Sequence, residues 1–420
     1  MPKLHFKLPA LVWQMLLMGL LGLSGIIFVP LLLRRVDAHV MATVLVAQVY
    51  VYYLVLLVQF GFSWSGPAAV ARGSQPAEVA AVWHASVRSK LYLLFGPAAL
   101  LFGLGYIAWA DGQCYLLGFV LLLISAALNS NWFLQSIQNF AGGVASAVAG
   151  VVVSVLLLLV LVNHGTPSTP WVSAALAVAV LIAPQVLLGL GSWWLTKRAC
   201  AVLAPSGADR LDATQTWRLL RKDSPLVLSQ LLLLASTTLG TVVVGALADA
   251  STSAAYAATE KLFNLGATVL VGAFMALYPR FATSFYSDRS AYWLKTKQLL
   301  AAGLLVGAGG LVVLTCFGQP LMALYLSDAL AIKVAPVLNV FAIWLGLCLS
   351  QHVLTGYLVL AERHRMVLYA NAWVLLVTVA VGYTFARAEP VHWVYGMVAG
   401  QLFTCAWLLQ LYLQDRRTVR

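Results

Sequence analysis

Charge is what this chain has least of: 9% of its 420 residues are Asp, Glu, Lys or Arg, where a soluble protein of this size carries about 25%. That shortage excludes a water-facing surface over most of the chain, and no stretch has the composition of a soluble domain. Cysteine is sparse as well. Cys114, Cys200, Cys316, Cys348 and Cys405 show neither metal-ligand nor C-x-x-C spacing, so they carry no metal or redox signature. Phosphate loops, H-E-x-x-H and G-x-S-x-G are absent, which leaves an ATP-driven pump or a membrane hydrolase without a motif. Acidic residues are few, 13 against 25 Lys and Arg, for a formal charge of +12. The cations sit in short segments flanking apolar runs, the pattern of topology signals facing an anionic leaflet and not of nucleic-acid binding.

What the chain has in abundance is apolar length. With 62% hydrophobic residues, runs of about 18 residues or more recur from end to end, so the expectation is an all-α polytopic membrane protein. The opening MPKLHFKLPALVWQMLLMGLLGL shows no A-x-A-like cleavage site and is taken as the first span. Spans fall near 9–32, 40–62, 91–110, 115–134, 143–163, 171–196, 225–248, 253–277, 298–318, 334–360, 366–386 and 391–413. With the N-terminus inside, only Arg34, Arg35, Lys333 and Arg387 fall outside. Lys261 is the one cation within a span, and the others of the 25, Arg88 and Lys90 among them, lie on the inner side. Both termini are therefore expected in the cytoplasm.

The longest hydrophilic stretch, about 197–223, divides the spans six and six. This predicts an N-terminal lobe over 1–200 and a C-terminal lobe over 201–420. Pro9 and Pro225 each precede a glutamine by five residues, Gln14 and Gln230. Asp37-Ala38 recurs as Asp249-Ala250, and Gln48 stands opposite Glu260. Six spans is an even number, so both lobes enter from one side and a pseudo-two-fold axis along the membrane normal would relate them.

Span eight holds the chain's most expensive residues. Glu260 and Lys261 lie about 12 Å down that helix, where a charge costs about 2.5 to 3.5 kcal/mol unless it meets water, protein or ligand. Tyr256, Glu260, Lys261, Asn264 and Thr268 are expected to form one polar stripe. Two readings stand: a water-filled cavity lined by these groups, or an ion pair that holds two helices together. The remaining intraspan polar residues, Gln14, Gln48, Asn131, Gln230, Gln351 and His352, fit interhelical hydrogen bonds, with Gln14 and Gln230 marked out by the repeat. Arg72 ends GFSWSGPAAVAR, where Gly61, Gly66 and Pro67 should loosen the helix end. It would serve either a phosphate or topology alone. Arg34 and Arg35 run against the inside bias, and pairing with Asp37 is their structural alternative.

Four stretches, VPLLLRRVDAHVMATVLVAQ, FGFSWSGPAAVAR, NWFLQSIQNF and AYAATEKLFNLGATVLVGAFMALYPRFA, resemble Wzx-type polysaccharide (O-antigen) flippases of the multidrug/oligosaccharidyl-lipid/polysaccharide (MOP) exporter superfamily. The resemblance implies two six-helix lobes in a V around a cationic central cavity. It implies a non-enzymatic flippase in the inner membrane that carries undecaprenyl-pyrophosphate-linked oligosaccharide between leaflets. A polysaccharide polymerase and a chain-length regulator would be partners beside membrane lipids. By the same resemblance Lys261, Arg72 and Arg35 would meet the pyrophosphate; from the residue pattern Arg34 is a further candidate cation, and Gln14, Gln48, Gln230, Tyr256 and Asn264 are candidate polar lining. No cofactor is expected; Glu260 is the candidate for coupling to H+ or Na+. The chain departs from the family in lacking glycines in VDAHVMAT and in placing Gly240 where relatives often carry a polar or acidic residue. A drug exporter, a fourteen-span lipid II flippase and a membrane glycosyltransferase or polymerase are the competing readings.

Overall fold

The computed structural model describes residues 10–33, 36, 38–73, 75–109, 113–163, 170–203, 213–326 and 328–418. Arg34, Arg35 and Asp37 lie outside the described residues. Among the described residues twelve helices are long and apolar enough to cross a membrane, and there is no strand. In a bilayer this is the expected solution, since each helix satisfies its own backbone hydrogen bonds.

Several spans outrun their apolar cores. The third was expected over 91–110 and runs Pro76–Ala108; the seventh, expected over 225–248, runs Thr216–Leu247; the ninth, expected over 298–318, runs Arg289–Ala323. Hydropathy marks where lipid begins, whereas the helix continues through Lys- and Arg-bearing turns that favour helix just as well. Caps set the true ends. Gln75 and Glu78 form a capping box before Pro76. Asp288 accepts from the amides of Ser290 and Ala291 and starts the helix Arg289–Tyr325.

The chain folds as two compact units, Met1–Val227 with Met275–Thr283, and Leu228–Phe274 with Ser284–Arg420. Each has its own apolar core, one around Met41, Val44, Phe119 and Val178, the other around Tyr256, Phe341, Trp344 and Trp393. Recurring local geometry ties the units together in design. The second helix starts at Ala38 and its counterpart at Ala250, each the alanine after an aspartate, and Asp249 caps the latter by accepting from Thr252 N at 2.9 Å.

The fourth and tenth spans end in the same turn. Gln138 (φ 62°) and Glu362 (φ 59°) are left-handed. Asn139 N donates to Leu134 O and Arg363 N to Leu358 O, both at 2.8 Å, while Gln138 N and Glu362 N reach back to Gln135 O and Val359 O, both at 3.0 Å. This pair of bonds is the Schellman closure of a helix end. The fifth and sixth spans, and likewise the eleventh and twelfth, touch backbone to backbone. A side chain at Gly150 would run into Pro184, and one at Gly396 into Thr378 and Gly382, the small-residue approach that holds helices together where no hydrophobic force exists between them.

Candidate functional site

The eighth span divides its polar residues between two faces. Lys261 and Thr268 are exposed and Asn264 is half-buried, whereas Tyr256 and Glu260 are buried. Consecutive residues on a helix are about 100° apart, so the boundary falls between Glu260 and Lys261. The single stripe expected from the sequence is therefore two. Tyr256 packs into the core beside Phe341 with the rings tilted, its hydroxyl 3.8 Å from Met397 Sδ, and does not line an accessible face. No side chain among the described residues pairs with the Lys261 amine.

Glu260 faces the seventh span. Thr241 Oγ1 donates to Glu260 Oε2, while Oε1 is enclosed without a donor. What lets the carboxylate sit there is Gly240. A Cβ on that residue would lie 2.7 Å from the Tyr256 hydroxyl, 2.8 Å from Glu260 Oε1 and 3.0 Å from Trp393 Cδ1. The glycine noted as a departure is thus the space into which an acid from the neighbouring helix fits. Trp393 Nε1, bordering the same space, is also buried and unbonded. Buried polar atoms without partners are rare and costly; here Glu260 Oε1 lacks a donor, while the Trp393 indole N–H, a donor only, lacks an acceptor.

The first unit holds a second buried charge. Lys90 is 2% exposed, although the sequence placed it in an inner loop. Lys261 is therefore not the lone cation on a spanning helix. The fourth span explains the burial. Its helix Val120–Leu128 stops at Asn129 and resumes over Asn131–Ser136. The gap is served from two neighbours: Lys90 Nζ donates to Asn129 O at 2.5 Å, Trp83 Nε1 to Ser130 Oγ at 2.8 Å, and Ser130 N to Ser192 Oγ at 3.0 Å. Phe62 presents its ring 5.9 Å from the amine. Irregular backbone at membrane depth survives only where protein satisfies it in this way.

The remaining candidates scatter. Arg72 is exposed at the end of the helix Phe62–Arg72, which begins after a break at left-handed Phe60 and Gly61; Pro67 leaves that helix unbroken. Its Nε donates to Ala68 O at 3.3 Å, and it acts electrostatically on Lys222. Gln14 is buried and accepts from Gln135 at 3.1 Å, while Gln230 is half-buried. Gln48 and Gln185 both donate to Tyr52, at 3.0 and 2.9 Å. Gln351 donates to Asn371 at 2.7 Å, and Asn371 to Ser229 at 2.6 Å. Apart from the i,i+4 bond of Gln48 within its own helix, these are interhelical bonds of the ordinary kind.

Comparison with known proteins places the fold. The family profile described as "Polysaccharide biosynthesis protein" matches residues 12–285, more than half the chain. No curated protein matches by sequence. Among solved structures, a point mutant of the Vibrio cholerae MATE transporter VcmN is similar with a TM-score of 0.69 at 17% identity, over 97% of this chain and 96% of that one. A eukaryotic MATE transporter gives 0.71 at 15%, over 96% and 93%. An outward-facing multidrug resistance MATE family transporter of the MOP superfamily gives 0.71 at 16%, over 98% and 96%. A multi-pass membrane protein with the twelve-helix MATE fold, the chain belongs to the polysaccharide biosynthesis protein family.

Proposed function

We propose that this protein is a flippase that moves undecaprenyl-pyrophosphate-linked oligosaccharide from the cytoplasmic to the periplasmic leaflet of the inner membrane by alternating access, with both termini in the cytoplasm. The observation that carries the reading is the eighth span of a polysaccharide biosynthesis family member, which offers an unpaired Lys261 beside Asn264 and Thr268 on an exposed face. A pyrophosphate brings about two negative charges, and a cation in a hydrated path lowers the cost of taking them across. Arg72, Arg34 and Arg35 would serve the same anion elsewhere along the path, and Gln48 and Gln230 its glycan.

Glu260 would couple the step to H+ or Na+. Its bare Oε1 lacks the donor that a proton or a cation would replace, and alternating access requires a group whose occupancy differs between states. Replacing Lys261 with Ala should abolish surface polysaccharide while protein abundance in the membrane holds, with lipid-linked repeat units accumulating on the cytoplasmic leaflet. A matched fall in abundance would make Lys261 structural. In vesicles, Glu260→Gln should erase the response to an imposed pH or sodium gradient; an unchanged response would remove the coupling role.

A further inference from the structure

The third span does not stay α-helical. Over Leu94–Ala98 it widens into a π-turn containing Pro97, and Gly96 leaves helical backbone altogether at φ −98°, ψ −105°. Such bulges swell one side of a helix and often accompany binding sites. Beside this one lies a cavity of about 750 Å³ whose walls include Tyr92 and Pro97 of the third span, Trp217, Leu220 and Arg221 of the seventh, and Phe60 at the end of the second helix. Its volume is in the range that takes a drug-sized ligand, and the walls are aromatic and aliphatic. Arg221 is the one charged group among the described lining residues, and no ion pair with another described residue holds it.

Depth and charge identify the occupant. The seventh span opens at Thr216, and the last lining residue of that helix is Ser224, so the cavity occupies about the first 12 Å of the span. That is within the roughly 15 Å of a single leaflet. By alternation of spans, the end of the second and the start of the seventh lie on one membrane face. Arg72 and Lys222 stand there within electrostatic reach of each other. Basic pockets between helices on the cation-rich side are where anionic lipid headgroups bind.

We infer that this cavity holds one acyl chain of an anionic phospholipid of that leaflet, with the Arg221 guanidinium at its phosphate. The isoprenoid tail of a lipid-linked sugar shares the chemistry, yet it is longer than one leaflet is deep and would overrun a pocket of this extent. The inference stands apart from the cargo reading, since it concerns a resident lipid of the first unit.

Trp217 supplies the probe. The full-length protein is reconstituted in phosphatidylcholine vesicles with a minor fraction of either phosphatidylglycerol or phosphatidylcholine brominated on the acyl chain. The Trp217 contribution to quenching is isolated by subtracting the Trp217→Phe protein. The glycerol lipid should quench Trp217 at about one fifth of the mole fraction that the choline lipid needs, the factor that one cation near an anionic surface contributes. Arg221→Gln should erase that preference while quenching by the choline lipid persists and the melting temperature stays that of the wild type. Arg218→Gln, exposed but not lining, should keep it. Equal quenching of the wild type by both lipids would overturn the proposal, as would retention of the preference in Arg221→Gln or its loss in Arg218→Gln. Displacement of phosphatidylglycerol by an equal or smaller amount of undecaprenyl phosphate would assign the cavity to the isoprenoid instead.

Discussion

Lys90 in the first unit and Glu260 in the second are both buried on spanning helices, and the two are served in opposite ways. Lys90 in the first unit meets a helix that has been broken for it: the carbonyl freed at Asn129 is an orphan at the negative end of a helix, where a cation is favoured. Glu260 in the second unit lies in the unbroken helix Ala250–Ser287 facing the unbroken helix Ala213–Leu247. The carboxylate is served by Thr241 alone on that helix and keeps a bare Oε1. A charge with its partners supplied holds structure together. A charge with a partner missing is where occupancy can change, and this separates the two roles more sharply than burial does.

The largest effect should come from reversing the charge that is served. Lys90→Glu would press a carboxylate against the Asn129 carbonyl inside the first unit, and an uncompensated buried charge costs about 3 to 5 kcal/mol. The protein should fail to accumulate in the membrane. Lys90→Met keeps the apolar stem and leaves one carbonyl unsatisfied, a loss of about 1 to 3 kcal/mol, measurable as a lower melting temperature with transport retained. If Lys90→Met instead abolished transport at normal stability, Lys90 would belong with the functional charges and the contrast between the units would collapse.

An intermediate effect is expected at the under-served site. Gly240→Ala places a methyl among Tyr256, Glu260 and Trp393, and overpacking of this kind costs about 1 to 3 kcal/mol. Tyr256→Phe removes the nearest of those atoms, at 2.7 Å, so the double variant should recover part of the loss, with a coupling of about 0.5 to 3 kcal/mol in a double-mutant cycle. Strict additivity would show that the methyl is accommodated elsewhere.

How far the sequence foresaw this contrast depends on which kind of contact is asked about. The twelve spans and the doubled start at Asp37-Ala38 and Asp249-Ala250 are local patterns, and hydropathy with caps reports local patterns directly. Lys90 was misplaced because the apolar window begins only at Leu91. Yet Ala80, Trp83, Ser86, Lys90 and Leu93 recur at helical spacing and form the buried face of that helix, a signal that periodicity carried and hydropathy obscured. The meeting of Gly240 and Glu260 is different in kind. They lie on separate helices, and a missing side chain on one announces nothing about the acid that will fill its place. The cavity beside Pro97 is likewise made by second, third and seventh spans together, and L-F-G-P-A alone predicts a bend without saying what enters it.

The smallest effect belongs to a carboxylate that faces water, and it checks the scale of the other two. Asp288, in the turn between the eighth and ninth spans, is held below its ordinary value of 3.8 first by the Ser290 hydroxyl, then by the Ala291 amide, with the Ser290 amide and Lys295 adding to this against slight desolvation. A depressed folded pKa contributes stability that is fully present above the unfolded value and lost as the pH falls through the folded one. At neutral pH Asp288→Ala should therefore lower the melting temperature slightly, through the lost helix cap. Asp288→Asn keeps a cap acceptor and removes only the charge. The gap between wild type and Asp288→Asn should be small at neutral pH and close as the pH drops below about 4, and it should stay smaller than the gap between wild type and Lys90→Met, which loses a buried hydrogen bond to Asn129 O. A neutral-pH deficit for Asp288→Asn as large as that of Lys90→Met would mean that the exposed cap and the buried amine carry equal weight, and the distinction between charges that are served inside a unit and charges that water serves would fail.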